Sequence, residues 1–170
     1  MTTVVRLPPV LLVAVVLHTA VVPHFRVFGV AADMLVLVAV AAGVAGGPER
    51  GAAVGFVCGL LADCFLQTPF GLSALVLTLV AWAVGGLQTR IVHAIWWIPM
   101  LTMGAGAAAA VVLYAILGAV MGESQLISTR LLVIAAVVGV IDGLLGPLVV
   151  RVMRWVFDVD PRGAVVLGPR

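Results

Sequence analysis

Charged side chains are scarce in this sequence, and lysine is absent. Charged residues make up 9% of the 170 residues, whereas 64% are hydrophobic. A soluble domain of this length is about a quarter charged, because polar groups must cover its surface. The nine basic and seven acidic side chains can solvate only the ends of a helix bundle whose sides face lipid. The composition therefore excludes a soluble domain, and a net charge of +2 is too small to indicate a nucleic-acid partner.

Cysteine and the common catalytic motifs are also missing or sparse. The two cysteines, Cys58 and Cys64, share one apolar stretch and cannot form a disulfide framework, so we interpret both as packing residues. The sequence contains no phosphate-binding Walker loop, no HExxH and no GxSxG. Short connections leave no room for an active site outside the membrane. We therefore predict a protein that is not an enzyme and binds no cofactor or metal.

Apolar runs long enough to cross a bilayer dominate the chain, because a transmembrane helix needs roughly 20 apolar residues. The sequence predicts an all-α, polytopic membrane bundle in a domain of residues 1–153, followed by a short cytoplasmic tail at 154–170. The first run is expected to be a retained helix rather than a cleaved signal, and five helices remain possible if it is re-entrant. The predicted spans lie at about 7–22, 30–46, 51–66, 71–87, 95–121 and 131–153.

The arginines predict the orientation, because basic residues concentrate on the cytoplasmic side. Placing both termini in the cytoplasm leaves only Arg26 and Arg130 outside. The cytoplasmic set is then Arg6, Arg50, Arg90, Arg151, Arg154, Arg162 and Arg170. This bias requires an even number of spans, in agreement with six.

Three glycines and an aspartate recur at intervals of four in the third predicted span: Gly51, Gly55, Gly59 and Asp63. This spacing places them along one face of a helix. Small residues allow another helix backbone to approach closely, which is how helices associate in lipid. We expect this face either to pack within the bundle or to bind a partner's helix, with Asp63 finding a specific polar partner or capping the following turn.

Two further acids lie in or beside apolar segments. Asp33 opens the second span, where Arg26 could reach it, and Asp142 lies midway along the sixth. An acid at the bilayer centre costs about 2.5 to 3.5 kcal/mol on insertion scales, so Asp142 is expected to face the bundle. An intramembrane aspartyl protease would also use two acids, but Asp63 and Asp142 are predicted at different depths. His18 is best explained by hydrogen bonds to neighbouring helix carbonyls.

Two stretches of the sequence resemble a known family. The segment GAAVGFVCGLLAD at 51–63, followed by PFGLSAL at 69–75, is similar to the third helix and following loop of the rod shape-determining protein MreD family. The start of the second span, ADML at 32–35, resembles the family's Pro-Asp-Leu-Leu with Ala32 in place of proline. IDGLLGP at 141–147 is similar to a final helix that often carries asparagine where Asp142 stands.

The resemblance implies a multi-pass protein of the bacterial inner membrane with six helices, similar to the substrate-binding subunits of energy-coupling-factor vitamin transporters. It also implies a non-enzymatic scaffold of the cell elongation machinery. The implied partners are MreC, a single-pass protein with a large external domain, together with RodA, a class B penicillin-binding transpeptidase and MreB.

Other functions stay open at this point. One is the substrate-binding subunit of a small-solute, vitamin-type transporter with an outward pocket rimmed by Asp33 and Asp63. Another is a lipid-binding or lipid-moving protein with a groove beside Asp142. In the simplest case, the acids only hold the helices in register.

Overall fold

The computed structural model describes residues 2–20, 33–65, 70–88, 97–122 and 130–158. The helices are α1 (Thr2–Ala20), α2 (Met34–Asp63), α3 (Leu72–Gln88), α4 (Ile98–Val120) and α5 (Leu131–Phe157). Within these ranges there is no β-strand. The predicted all-α class is confirmed.

Helix α2 is broken in its middle by a glycine and a proline. Gly47 has non-helical dihedrals, φ 81° and ψ −176°, and Pro48 follows it. A Cβ atom built on Gly51 would lie 2.6 Å from the Cα of Gly43, although eight residues of unbroken helix would separate them by about 12 Å. The chain therefore reverses direction here. The two arms of α2 cover the second and third predicted spans.

The first arm of α2 forms the centre of the bundle. Leu35, Leu37 and the stretch Ala39–Ala42 are at most 1% exposed. The helix contacts α1, α3, α4 and α5. Its many alanines leave room for these four neighbours, because a small side chain lets the neighbouring backbone come close.

The outside of the bundle carries large apolar side chains, as a lipid-facing surface should. Leu101 is 64% exposed, Leu132 76% and Leu144 66%. Helices α4 and α5 are long and apolar enough to cross a membrane, as is α2 when its two arms are counted together, whereas the apolar stretch of α1, Val5–Ala20, and helix α3 are shorter. The chain is a membrane protein, but six crossings are not confirmed and their number stays a prediction.

Two helix ends lie beyond the bounds expected from hydropathy. Helix α1 begins at Thr2 and contains Pro8 and Pro9, and α5 continues through Phe157 rather than ending at residue 153. The additional turn of α5 buries Val156 completely and leaves Phe157 only 5% exposed. Tertiary packing, which hydropathy does not contain, extends this helix.

Candidate functional site

The predicted glycine face lies against α3 of the same chain. A Cβ atom on Gly55 would lie 2.5 Å from the carbonyl oxygen of Leu77, and one on Gly51 would lie 2.8 Å from that of Ala81. At Gly59 the added atom would collide with the backbone of Ala74. The second arm of α2 and α3 thus touch backbone to backbone, and we call this contact the α2–α3 seam.

Asp63 completes the α2–α3 seam by capping α3. Its carboxylate is 3% exposed and accepts hydrogen bonds from the backbone N–H groups of Gly71 (2.9 Å), Ser73 (3.1 Å) and Ala74 (3.3 Å). The first N–H groups of a helix have no partner within it, and a carboxylate there also interacts favourably with the helix dipole. Both the glycines and the acid are therefore engaged inside the chain.

Asp33 caps α2 in a similar way at the same end of the bundle. Its Oδ1 accepts hydrogen bonds from the N–H groups of Leu35 (2.9 Å) and Val36 (3.5 Å). The Nδ1 atom of His18, near the end of α1, lies 3.3 Å from the same oxygen. The sequence pointed to Arg26 as a partner of Asp33, but Arg26 lies outside the described residues.

Asp142 is fully enclosed within the bundle, at 0% exposure. Neither carboxyl oxygen has a hydrogen-bond partner in the part of the chain that the structure describes. The glycines that surround it in α5 pack against α4, where a Cβ on Gly104 would lie 2.6 Å from the carbonyl oxygen of Gly139. This second seam was not predicted from the sequence, although the run GAGAAAA at 104–110 is a signal that could have indicated it.

A cavity of about 350 Å³ lies at the same end of the bundle as Asp33, between α2, α3, α4 and α5. Three of its lining residues are polar: Asp33, Ser73 and Tyr114. Ser73 is 5% exposed, and its hydroxyl has no hydrogen-bond partner among the described residues. Sequence reasoning anticipated Asp33 here, but it missed Ser73 and Tyr114. Asp63 does not line this cavity.

Comparison with known families is decisive for the identity of the chain. The family model of the rod shape-determining protein MreD matches residues 1–156. The chain belongs to the MreD family. No curated protein and no solved structure matches it.

MreD membership confirms the resemblance carried by the glycine face and the loop after it. Together with the membrane-spanning helices, it places the chain in the bacterial inner membrane and gives it a role in determining rod shape, as part of the shape-determining machinery. MreD proteins are not known as an enzyme family. The expected likeness to the transporter subunits stays a prediction.

The opposite end of this MreD bundle joins the first and last helices. Arg6 of α1 donates a hydrogen bond of 2.9 Å to the carbonyl of Trp155, lies 4.8 Å from the centre of its ring, and is 3.6 Å from Asp158. Arg50 lies over Phe157 at 5.5 Å. The start of α1 and the end of α5 therefore lie at one end of the bundle, and we call this group the arginine end.

Within the described ranges, no three or more His, Cys, Asp or Glu side chains come together as metal ligands would.

Proposed function

We propose that this chain is a non-enzymatic membrane scaffold of the cell elongation machinery. It binds the single-pass protein MreC and thereby supports peptidoglycan synthesis and rod shape. The family match over residues 1–156 carries this proposal, since it covers all five helices almost completely. RodA, a class B penicillin-binding transpeptidase and MreB complete the larger complex. Both termini face the cytoplasm in this proposal.

The surface that meets MreC lies outside the two glycine seams. The α2–α3 seam and the contact between Gly104 and Gly139 are filled by the chain's own backbone. The exposed faces carry large side chains instead, such as Phe56 at 53% and Trp82 at 58% exposure. In a bilayer such faces contact either lipid or a partner's helix by van der Waals packing.

The test is purification of the tagged chain from its native membrane in a mild detergent, followed by identification of the copurified proteins. We expect MreC, recognised as a single-pass protein with a large external domain, in near-stoichiometric amount. An unrelated multi-pass protein expressed at the same level is the control. Recovery of no single-pass partner at several detergent strengths would contradict the proposal.

The cavity beside Asp33 favours a second candidate, the substrate-binding subunit of a small-solute, vitamin-type transporter. Pockets for small ligands are mostly apolar with a few placed polar groups, and range from about 300 to 1,000 Å³. This function predicts a copurified ATPase pair and a bound small solute. Finding both, with no MreC, would replace the scaffold by the transporter subunit.

A further inference from the structure

The cavity between α2, α3, α4 and α5 has the dimensions and lining of a site for an apolar chain. Its volume is about 350 Å³, and ten of its thirteen lining residues are aliphatic. Val138 of α5, one helical turn before Asp142, forms part of the wall. An apolar surface of this kind is best filled by hydrocarbon, which the surrounding bilayer supplies at high concentration.

Two polar groups at different depths could orient an occupant. Asp33 has a side chain that is 36% exposed, so its carboxylate lies at the mouth of the cavity, whereas Ser73 is 5% exposed and lies deeper. Among the described residues, every contact of Asp33 involves Oδ1 and none involves Oδ2. The unpartnered hydroxyl of Ser73 is the second observation that indicates a ligand, because buried polar groups are nearly always hydrogen-bonded.

The charge of the lining selects the kind of head group. No arginine or histidine lines the cavity among the described residues, and Asp33 is the one acid there. His18 contacts Asp33 from outside the lining, at 3.3 Å from Oδ1. A carboxylate at the mouth repels an anionic head group and attracts a group that donates hydrogen bonds or carries positive charge. A free fatty acid or a phosphate monoester is therefore a poor occupant.

We propose that this cavity binds the single apolar chain of a membrane amphiphile whose hydroxyl or ammonium head group donates hydrogen bonds to Asp33. The head group also hydrogen-bonds to the hydroxyl of Ser73, and the chain extends from there between α2 and α4 toward Val138. This site is separate from the surface that meets MreC, and it does not depend on the scaffold function.

Three probes with the same oleyl or oleoyl chain test the head-group selection: oleylamine, monooleoylglycerol and oleate. Each is titrated against the full-length protein in detergent, and bound ligand is counted by native mass spectrometry. We expect the amine and the glycerol ester to bind at least about tenfold more tightly than oleate, as a favourable rather than repulsive contact with Asp33 requires. Equal binding of all three would overturn the proposal.

Replacement of Asp33 by asparagine tests the negative charge of the side chain separately from its role as the N-cap of α2. Asn is as good a helix N-cap as Asp, so Asp33→Asn keeps α2 intact while removing the negative charge. The variant should lose about tenfold in affinity for oleylamine but little for monooleoylglycerol. Unchanged affinity for both would show that Asp33 does not contact the head group.

A matched pair in α4 tests the location. Ala110 lines the cavity and is 2% exposed, whereas the adjacent Ala109 is exposed on the other face of the helix. Ala110→Phe should fill the cavity and abolish binding of all three probes, while Ala109→Phe should bind them as the original does. Melting curves establish whether both variants are folded. If Ala110→Phe is unfolded, Ser73→Ala, which does not fill the cavity, replaces it as the test of location. In that variant a hydroxyl head should bind less tightly. Retained binding in folded Ala110→Phe, or an unchanged affinity for monooleoylglycerol in Ser73→Ala if that variant is needed, would overturn the site.

A photocrosslinking residue at position 111, also in the cavity wall, identifies the natural occupant in the membrane. An adduct of lipid mass supports the proposal. A protein adduct would show instead that a partner's side chain fills the cavity, and would overturn it.

Discussion

Three aspartates of this chain lie in three different environments. These environments show which aspartates stabilise the fold and which has no structural role among the described contacts. Asp63 is buried but accepts three backbone hydrogen bonds, so the cost of its burial is offset. Asp33 is half-buried and caps α2 through Oδ1, and no described residue contacts its Oδ2. Asp142 is fully buried without a partner in the described residues. Only the last has no compensating contact in the fold as described.

Asp63→Ala should destabilise the protein by about 2 kcal/mol, because three N–H groups at the start of α3 lose their acceptor. Thermal unfolding in a fixed detergent, followed by circular dichroism, measures the change. Glu49→Ala is the control, since Glu49 is an exposed acid in the second arm of α2. Equal melting temperatures for the two variants would show that the cap contributes nothing.

Asp142→Asn should leave stability unchanged or higher. The substitution keeps the shape of the side chain and removes an acid whose insertion costs about 2.5 to 3.5 kcal/mol. The same melting assay measures stability, and complementation of rod shape in cells measures function. A large loss of stability would show that the carboxyl has a partner outside the described residues, whereas lost shape with retained stability would assign it a functional role.

The helices of this bundle associate through two seams of small residues rather than through interlocking large side chains. In the α2–α3 seam, glycine lets one backbone lie directly on the next. Lipid offers no hydrophobic drive for helix association, so close van der Waals contact has to supply the energy. This arrangement accounts for glycine at intervals of four, and it uses up the face that could otherwise have bound a partner.

Gly55→Leu should therefore prevent correct packing of α2 on α3, whereas Gly86→Leu should be tolerated. Among the described residues, no atom outside the backbone of its own helix turn lies within 4 Å of a Cβ placed on Gly86, while Gly55 faces the backbone of Leu77. Detergent-stable, monodisperse yield in size-exclusion chromatography distinguishes them. The copurification assay then shows whether Gly86→Leu, as a folded protein, still recovers MreC. A folded Gly55→Leu variant would contradict the seam.

At the scale of the whole molecule, the two ends of the bundle differ in chemistry. The arginine end joins the start of α1 to the end of α5, and the other end holds the capping acids and the cavity. Positive charge favours the cytoplasmic side. In the orientation proposed above, with both termini in the cytoplasm, the cavity would open toward the outside of the cell.

Thiol labelling tests this orientation, because Cys64 is exposed at the Asp63 end and Cys58 is buried. A maleimide that cannot cross the inner membrane should label Cys64 in cells whose inner membrane is intact and whose outer envelope the reagent can cross. In a Cys64→Ser background, Asp158→Cys should be labelled only after the inner membrane is opened. The reverse pattern would invert the proposed orientation.

The sequence by itself determined the solvent of this protein, its helical class and its family. Scarce charge requires lipid around the bundle, apolar runs require helices, and the order of Gly55, Phe56, Gly59 and Asp63 identifies the MreD family. The separate predicted spans at 30–46 and 51–66 also anticipated the break in α2, which lies where Pro48 lacks an N–H group and Gly47 adopts a positive φ. These are local properties, so they are readable without a fold.

Only the tertiary structure decided which surface each polar or small residue meets. Periodicity placed Gly51, Gly55 and Gly59 on one face but could not say that this face meets α3 rather than a partner. It could not place Ser73 in a cavity or extend α5 to Phe157. Contacts between residues far apart in the chain depend on how the helices pack, and similar apolar faces allow several packings, so this information lies beyond any single segment.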